Sequence, residues 1–232
     1  MPTVGGIVVS TGGAPTTGRR TLLEVVDELA RPVNASDTTI RALAKDAFRA
    51  AVNKFNRKGC WPWEVMDEDI AITSGVIFST ATGVIKKPLA MHKLHQAGGI
   101  PDERITYISY DRFVETWNMN YSTNTFSYTI PNLFETGQIR WIPTPGANDN
   151  ARFTYYRVTP APRNESETIE IPDYAIEAYQ SVAWYEFLKR LPSQQRPYDI
   201  GIAQADAKQA FREISAHVTE PGDSSREVSV YG

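Results

Sequence analysis

The chain has 232 residues, of which 41% are hydrophobic and 22% are charged, with a formal net charge of -3 and a pI near 5.7. This composition is typical of a globular protein with enough chain for a buried core, and it argues against a protein whose whole surface grips nucleic acid. The single cysteine, Cys60, excludes an intrachain disulfide and predicts a cytosolic setting. No apolar run is long enough to cross a bilayer, so no membrane partner is expected.

Residues 1–18 are predicted to form an N-terminal arm, because they are rich in Gly and Thr and contain only one short β-prone run. That run is Ile7, Val8 and Val9. Such an arm is mobile on its own or is ordered by a neighbouring surface, for example by adding to the edge of a sheet.

Two helices are predicted next. Thr21 and Glu24 form a capping box at the start of a short helix that Pro32 ends. The main N-terminal helix covers residues 37–58, in which apolar residues recur with the spacing of one helical face. These residues are Ile40, Leu43, Ala44, Ala47, Phe48, Ala51, Val52 and Phe55. A helix with one apolar face has to be buried against partners, and the other helices of the chain are the expected partners.

Residues 60–170 are predicted to form an inserted β domain. A hairpin is expected around Ser74 and Gly75, and a short helix at 111–118. Four further strand-like runs are 104–110, 126–130, 138–142 and 152–158. Their turn signals favour an antiparallel sandwich or barrel of about six strands, and the absence of a βαβ rhythm argues against parallel pairing.

Helical periodicity returns at residue 171, where Pro172 suits the beginning of a helix. Two antiparallel helices are expected up to residue 218, followed by a polar tail at 219–232. The tail contains Arg226 and ends in a short β-prone patch of Val228, Val230 and Tyr231. The predicted fold class is therefore α+β: an antiparallel helical bundle from residues 19–59 and 171–218, interrupted by the β domain.

Few residues have a pattern typical of catalysis or metal binding. His92 and His95 have the spacing of two ligands on a helix, but no third ligand stands at a suitable distance. The acidic run Glu64, Asp67, Glu68 and Asp69 lacks the spacing of a calcium loop, which favours a solvated turn over an acid–base pair or a cation site. Cys60 matches no nucleophile motif and is predicted to be a half-buried structural thiol. We therefore predict no catalytic residue, no metal and no cofactor, and the protein is not expected to be an enzyme.

The aromatic content of the predicted β domain is high. Ordinary cross-strand packing explains it, as does a surface for a protein partner or a carbohydrate. The residues concerned are Tyr107, Tyr110, Trp117, Tyr121, Tyr128, Trp141, Tyr155 and Tyr156.

The order of these elements resembles that of phage head-to-tail adaptors, in particular the tail tubular protein A and tail accessory factor group of short-tailed phages. The resemblance covers most of residues 19–218. Residues 104–113 (RITYISYDRF) are similar to a strand-then-helix segment of that group, and residues 143–146 (PTPG) lead into a similar strand at 153–157. The helix that begins at 171–174 (IPDY) completes the layout.

The resemblance implies a structural virion protein in the neck of the particle, made in the host cytoplasm during assembly. It implies a ring of copies, typically a dodecamer, that sits below the portal protein, docks the next tail protein and extends the channel for double-stranded DNA. The DNA passes through the lumen during ejection without sequence-specific binding, which a neutral to negative lumen favours. The expected partner-binding residues are those of the arm and the tail: Ile7, Val8, Val9, Arg226, Val228, Val230 and Tyr231.

Two other functions fit the same sequence. One is a different neck or tail-completion protein with the same helices at another joint of the virion. The other is a carbohydrate-binding decoration or receptor module, which predicts monomers or trimers with aromatic rings exposed on one strand face. A glycan hydrolase would need two carboxylates facing each other across a cleft, and the sequence offers no such pair.

Overall fold

A computed structural model of the chain describes residues 20–94, 101–118 and 126–218. The described residues divide into two compact units, one formed by residues 20–58 and 160–218, the other by the described part of residues 59–159. Within the described residues there are five α-helices and two four-stranded sheets, which confirms the α+β class.

The helices, in chain order, are α1 (Leu22–Ala30), α2 (Thr38–Lys58), α3 (Tyr110–Asn118), α4 (Asp173–Arg190) and α5 (Ile200–Val218). The strands are β1 (Val65–Ile72), β2 (Phe78–Thr80), β3 (Ile85–Leu94), β4 (Pro101–Arg104), β5 (Thr106–Tyr107), β6 (Ser127–Thr129), β7 (Gln138–Ile142) and β8 (Asp149–Arg157). None of the described helices is both long enough and apolar enough to span a membrane.

The helical unit is built around α4, which packs against α1, α2 and α5. The residues of the predicted apolar face of α2 are buried, with the exception of Leu43, which is half-buried. The ring of Phe55 on α2 stacks on Tyr179 of α4, with a centroid separation of 3.7 Å, and on Phe211 of α5, with a separation of 4.2 Å. These three rings join three helices in one apolar contact, because each helix has an aromatic residue at the same level.

The predicted helix starts are confirmed. Thr21 and Glu24 form the capping box: the Thr21 amide donates to the Glu24 carboxylate at 2.9 Å, and the Glu24 amide donates to Thr21 Oγ1 at 3.4 Å. Asp37 Oδ1 accepts from the amides of Thr39 and Ile40 and so caps α2. Local side-chain chemistry thus sets both helix starts.

Residues 160–170, which sequence analysis placed with the β domain, belong to the helical unit. The amide of Leu22 donates to the carbonyl of Glu167 at 3.1 Å, and the amide of Ile169 donates to the carbonyl of Arg20 at 3.0 Å. Arg49 of α2 holds the same segment by donating to the carbonyls of Pro162 and Arg163. The segment contains no helix, so its periodicity could not reveal that it packs with helices.

The β unit contains two sheets, with strand orders β1-β8-β3-β4 and β2-β7-β6-β5. β1 is paired along its whole length with β8, from Ile72 opposite Asp149 to Val65 opposite Tyr156, and β8 pairs with β3 on its other side. Buried side chains of both sheets form one core. Its largest members are Tyr128, Trp141, Phe153, Tyr155 and Met91.

The expected hairpin around Ser74 and Gly75 is wrong. The chain does turn there, with Gly75 at a φ of 75°, but β1 and β2 lie in different sheets. The turn is therefore a corner between the sheets. Alternating residues on both sides of a turn predict two strands, but they do not show whether the strands pair with each other.

The exclusion of parallel pairing is also wrong, because β5 and β6 are parallel neighbours joined through α3. The predicted strand at 104–110 contains the short strand β5, and the predicted strand at 126–130 contains β6. The predicted helix at 111–118 is α3, which begins one residue earlier. Each strand of this crossover has only two or three residues, so no βαβ rhythm was visible. Within the described residues neither sheet closes on itself, so the predicted alternative of a barrel is wrong.

We predict that Phe55→Ala lowers the free energy of unfolding by about 3–5 kcal/mol, because it removes a fully buried ring and leaves a cavity between Tyr179 and Phe211. Denaturant unfolding followed by circular dichroism at 222 nm measures the change. Leu23→Ala, at an exposed position of α1, is the control and should change stability little. A loss below about 1 kcal/mol for Phe55→Ala would contradict the assigned role of the stack.

Candidate functional site

The predicted partner-binding residues lie outside the described residues. This holds for Ile7, Val8 and Val9 of the arm and for Arg226, Val228, Val230 and Tyr231 of the tail. Their assignment stays a prediction. The candidate sites described below come from the two folded units.

The most deeply buried charges of the β unit are Glu64 and Lys86, whose side chains are 0% and 2% exposed. Lys86 Nζ donates to both carboxylate oxygens of Glu64, at 2.8 and 3.1 Å. The same carboxylate accepts from the backbone amide of Trp61 at 3.0 Å and from the hydroxyl of Thr159 at 3.2 Å. Four hydrogen bonds therefore satisfy the carboxylate, as a buried charge requires.

The position of Glu64 explains this environment. The chain enters the β unit at Gly59 and leaves it at Thr159. Glu64 binds one residue near the entry, one residue at the exit and Lys86 on β3. Removal from water raises the pKa of Glu64, and its contacts with Lys86, Trp61 and Thr159 oppose that shift. With no exposed surface the carboxylate joins the two chain segments and does not face a substrate.

The prediction that the acidic run forms a solvated turn is wrong. Glu64 is buried, and the other three acids lie on β1. Glu68 accepts from the hydroxyl of Tyr155 at 2.7 Å and from the hydroxyl of Thr82. Asp69 forms a two-point ion pair with Arg152 on β8. The partners of these acids are hydroxyl groups and an arginine that lie far away in the sequence, which no local pattern could reveal.

Neither histidine lies on a described helix. His92 lies on β3, opposite Arg152 of β8 and Arg104 of β4, and His95 falls outside the described residues. Across the described part of the chain, no three His, Cys, Asp or Glu side chains come together as metal ligands would. Cys60 is partly buried, and burial raises the pKa of its thiol, which disfavours the nucleophilic thiolate.

The aromatic residues of the β unit divide into two groups. Tyr128, Trp141 and Tyr155 are buried in the core, where cross-strand packing accounts for them. Tyr107 and Tyr110 are more than a third exposed. Tyr156 is partly buried. Tyr121 and the side chain of Trp117 lie outside the part of the chain that the structure describes. An interaction surface on this unit can therefore use only part of the predicted aromatic set.

A groove of about 400 Å³ lies between α4 and α5. Tyr174 is the most prominent lining residue, because its side chain is 54% exposed. Glu177 and Glu213 supply the charged part of the lining. The lining residues from α4 are Tyr174, Glu177, Ala178 and Ser181, and those from α5 are Ala210, Glu213 and Ile214. Sequence analysis missed the groove, although the α4 residues have the i, i+3, i+4, i+7 spacing of one face.

The helical unit also exposes apolar side chains outside the groove, at Leu23, Tyr198 and Ile202. Ile202, in the first turn of α5, is 50% exposed. No protein-family model matches the chain, and no curated protein matches it. The candidate functional features of the helical unit are these exposed apolar side chains and the groove.

The second charged cluster joins α2 to α4. Lys54 forms an ion pair with the largely buried carboxylate of Glu186, and Lys189 lies 3.6 Å from the same carboxylate. Burial by itself would raise the pKa of Glu186, but the hydrogen bond and the charges of Lys54 and Lys189 lower it below its usual value of 4.5. The ionised carboxylate therefore stabilises the helical unit.

We predict that Glu64→Gln destabilises the β unit by about 3–5 kcal/mol, because the buried ammonium of Lys86 loses its counter-charge. The double variant Glu64→Gln, Lys86→Met should recover most of the loss, since no buried charge remains. Denaturant unfolding followed by tryptophan fluorescence measures both. Asp69→Asn, which breaks an exposed ion pair, is the control and should cost less. A double variant as unstable as the single one would disprove this reading.

We predict that the stabilisation by Glu186 depends on pH. A carboxylate whose pKa is lowered by folding stabilises the native state above its unfolded pKa, near 4.5, and loses this effect as the pH falls through the folded value. Wild type should therefore exceed Glu186→Gln in thermal stability at pH 7, and the gap should narrow below pH 4.5. Asp206→Asn, an exposed change on α5, controls for the removal of a negative charge. A gap that widens on acidification would contradict the assignment.

Proposed function

We propose that this protein is a head-to-tail adaptor of a short-tailed phage, which forms a ring below the portal protein and extends the DNA channel. The observation that carries the proposal is the division of the chain: residues 20–58 and 160–218, which precede and follow the β unit, form one helical unit, and a separate β unit lies within residues 59–159. The same layout carries the resemblance in the sequence. In the proposal the helical unit is an antiparallel bundle and the β unit is a sandwich around its core.

The helical unit is the proposed body of the ring. Its exposed apolar side chains, Leu23, Tyr198 and Ile202, are suited to a contact between neighbouring copies, because large apolar groups on a surface favour association. A head-to-tail contact between identical copies produces a closed ring when the rotation that relates one copy to the next closes after a full turn. The arm and the tail would add contacts with the portal or with neighbouring copies.

The β unit is the proposed contact with the next tail protein. Phe134 is half exposed at the loop between β6 and β7, and its φ of 66° is unusual for a bulky residue. An exposed ring held in an unfavourable backbone conformation is typical of a residue kept for interaction. The mild net charge of -3 is compatible with a lumen that does not retain DNA.

A carbohydrate-binding module is the second candidate, favoured by the exposed rings of Tyr107 and Tyr110 on the β unit. It predicts a monomer or trimer that binds glycans. A tail-completion protein at another joint is the third, and it predicts a ring that binds a different virion protein. The mass of the assembled particle and the identity of its partner distinguish the three.

The test is the mass of the purified protein in solution, by light scattering, with and without a candidate portal protein. The adaptor proposal predicts a small species that becomes a large ring complex when portal is added. Ile202→Glu should prevent ring formation, because it places a charge in the proposed contact, whereas Val76→Glu on the β unit should not. A protein that stays monomeric or trimeric and ignores portal would overturn the proposal.

A further inference from the structure

The lining of the groove between α4 and α5 combines apolar side chains with an acidic pair, Glu177 and Glu213. Tyr174, Ala178 and Ile214 supply apolar surface, and Glu177 and Glu213 supply negative charge. No lysine or arginine is among the lining residues. Within the described residues neither glutamate forms an ion pair, although Gln209 Nε2 donates to Glu213 at 2.7 Å. A segment that fits this groove should be apolar and should carry positive or no charge.

The two terminal segments of this chain lie outside the described residues, and their charges differ. Residues 1–19 contain no Asp, Glu or Lys and have Arg19 as their one charged residue. Residues 219–232 contain three acidic residues, Glu220, Asp223 and Glu227, against one basic residue, Arg226. Because like charges repel across a contact, the acidic pair favours the N-terminal segment over the tail, although the tail follows α5 directly.

The described chain starts at Arg20, close to α4. Arg20 forms an ion pair with Glu28 at 3.1 Å, and Gln180 of α4 donates to the same carboxylate. From Arg20 back to Val9, about eleven residues span up to roughly 36 Å when extended. The helix α4, with 18 residues, is about 27 Å long. The segment therefore reaches the groove of its own chain.

We infer that residues 7–9 of the N-terminal segment dock into the α4–α5 groove of the same chain. Ile7, Val8 and Val9 cover the exposed ring of Tyr174 and the side chain of Ile214. The absence of acidic residues lets the segment pass between Glu177 and Glu213 without repulsion. This inference concerns the isolated chain, so it does not depend on the adaptor function.

Hydrogen–deuterium exchange of the full-length chain, read by mass spectrometry, tests the docking. The reference is a synthetic peptide of residues 1–19. Docking predicts that the amides of residues 7–9 exchange at least about tenfold more slowly in the protein than in the peptide, and that this ratio does not change with protein concentration. Exchange at the peptide rate would overturn the inference.

Reversing the charge of the two groove glutamates tests whether the groove is the place where residues 7–9 bind. Glu177→Lys with Glu213→Lys should return residues 7–9 to the exchange rate of the peptide. Glu115→Lys with Glu135→Lys is the matched control, since it changes the net charge equally at exposed positions of the β unit, and it should leave the protection intact. Protection that survives the groove variant would show that residues 7–9 bind elsewhere.

A second variant keeps the test valid if the groove variant does not fold. Val8→Asp changes no residue of the helices, and it should release the segment because it brings a negative charge to Glu177 and Glu213. Protection of residues 219–232 that the groove variant abolishes would assign the groove to the tail and overturn the inference. Protection of residues 7–9 that rises with concentration would also overturn it, because it would assign the groove to the segment of a neighbouring copy.

Discussion

The carboxylate of Glu64 is the interaction on which the β unit depends. A carboxylate without contact to water is costly unless its charge and its lone pairs are satisfied, and here Lys86, Trp61 and Thr159 satisfy them. The three partners come from the entry, from β3 and from the exit of the unit. Burial of one charge therefore requires three distant segments to meet, and a wrongly paired chain would leave that charge unsatisfied.

The helical unit depends on a different constraint, which is the burial of α4 on several sides. α1, α2 and α5 all pack against α4, and the stacked rings of Phe55, Tyr179 and Phe211 bring α2 and α5 to the same level of it. Because α1 and α2 precede the β unit and α4 and α5 follow it, this core forms only when both ends of the chain come together. The β unit is then a long insertion, which costs little entropy once its own ends are held close.

The two candidate interaction features lie on the helical unit and differ in chemistry. The exposed apolar side chains near the start of α5 suit a contact with another copy, whereas the acidic groove suits a segment without negative charge. If the N-terminal segment covers the groove of its own chain, the exposed side chains remain available for assembly. The same helix pair carries both features, because Ile202 lies in the first turn of α5, whereas the groove residues of that helix begin at Ala210.

The sequence by itself determined the features that depend on neighbours along the chain. The capping box of Thr21 and Glu24, the buried face of α2 and the start of α4 after Pro172 follow from local spacing and local hydrogen bonds. Only the tertiary structure decided which strands pair, that β5 and β6 run parallel, and that Glu64 is buried against Lys86. These features join residues far apart in the chain, such as Val65 and Tyr156, and a periodic pattern holds no information about a distant partner. The groove was missed for the same reason, since its two walls belong to different helices.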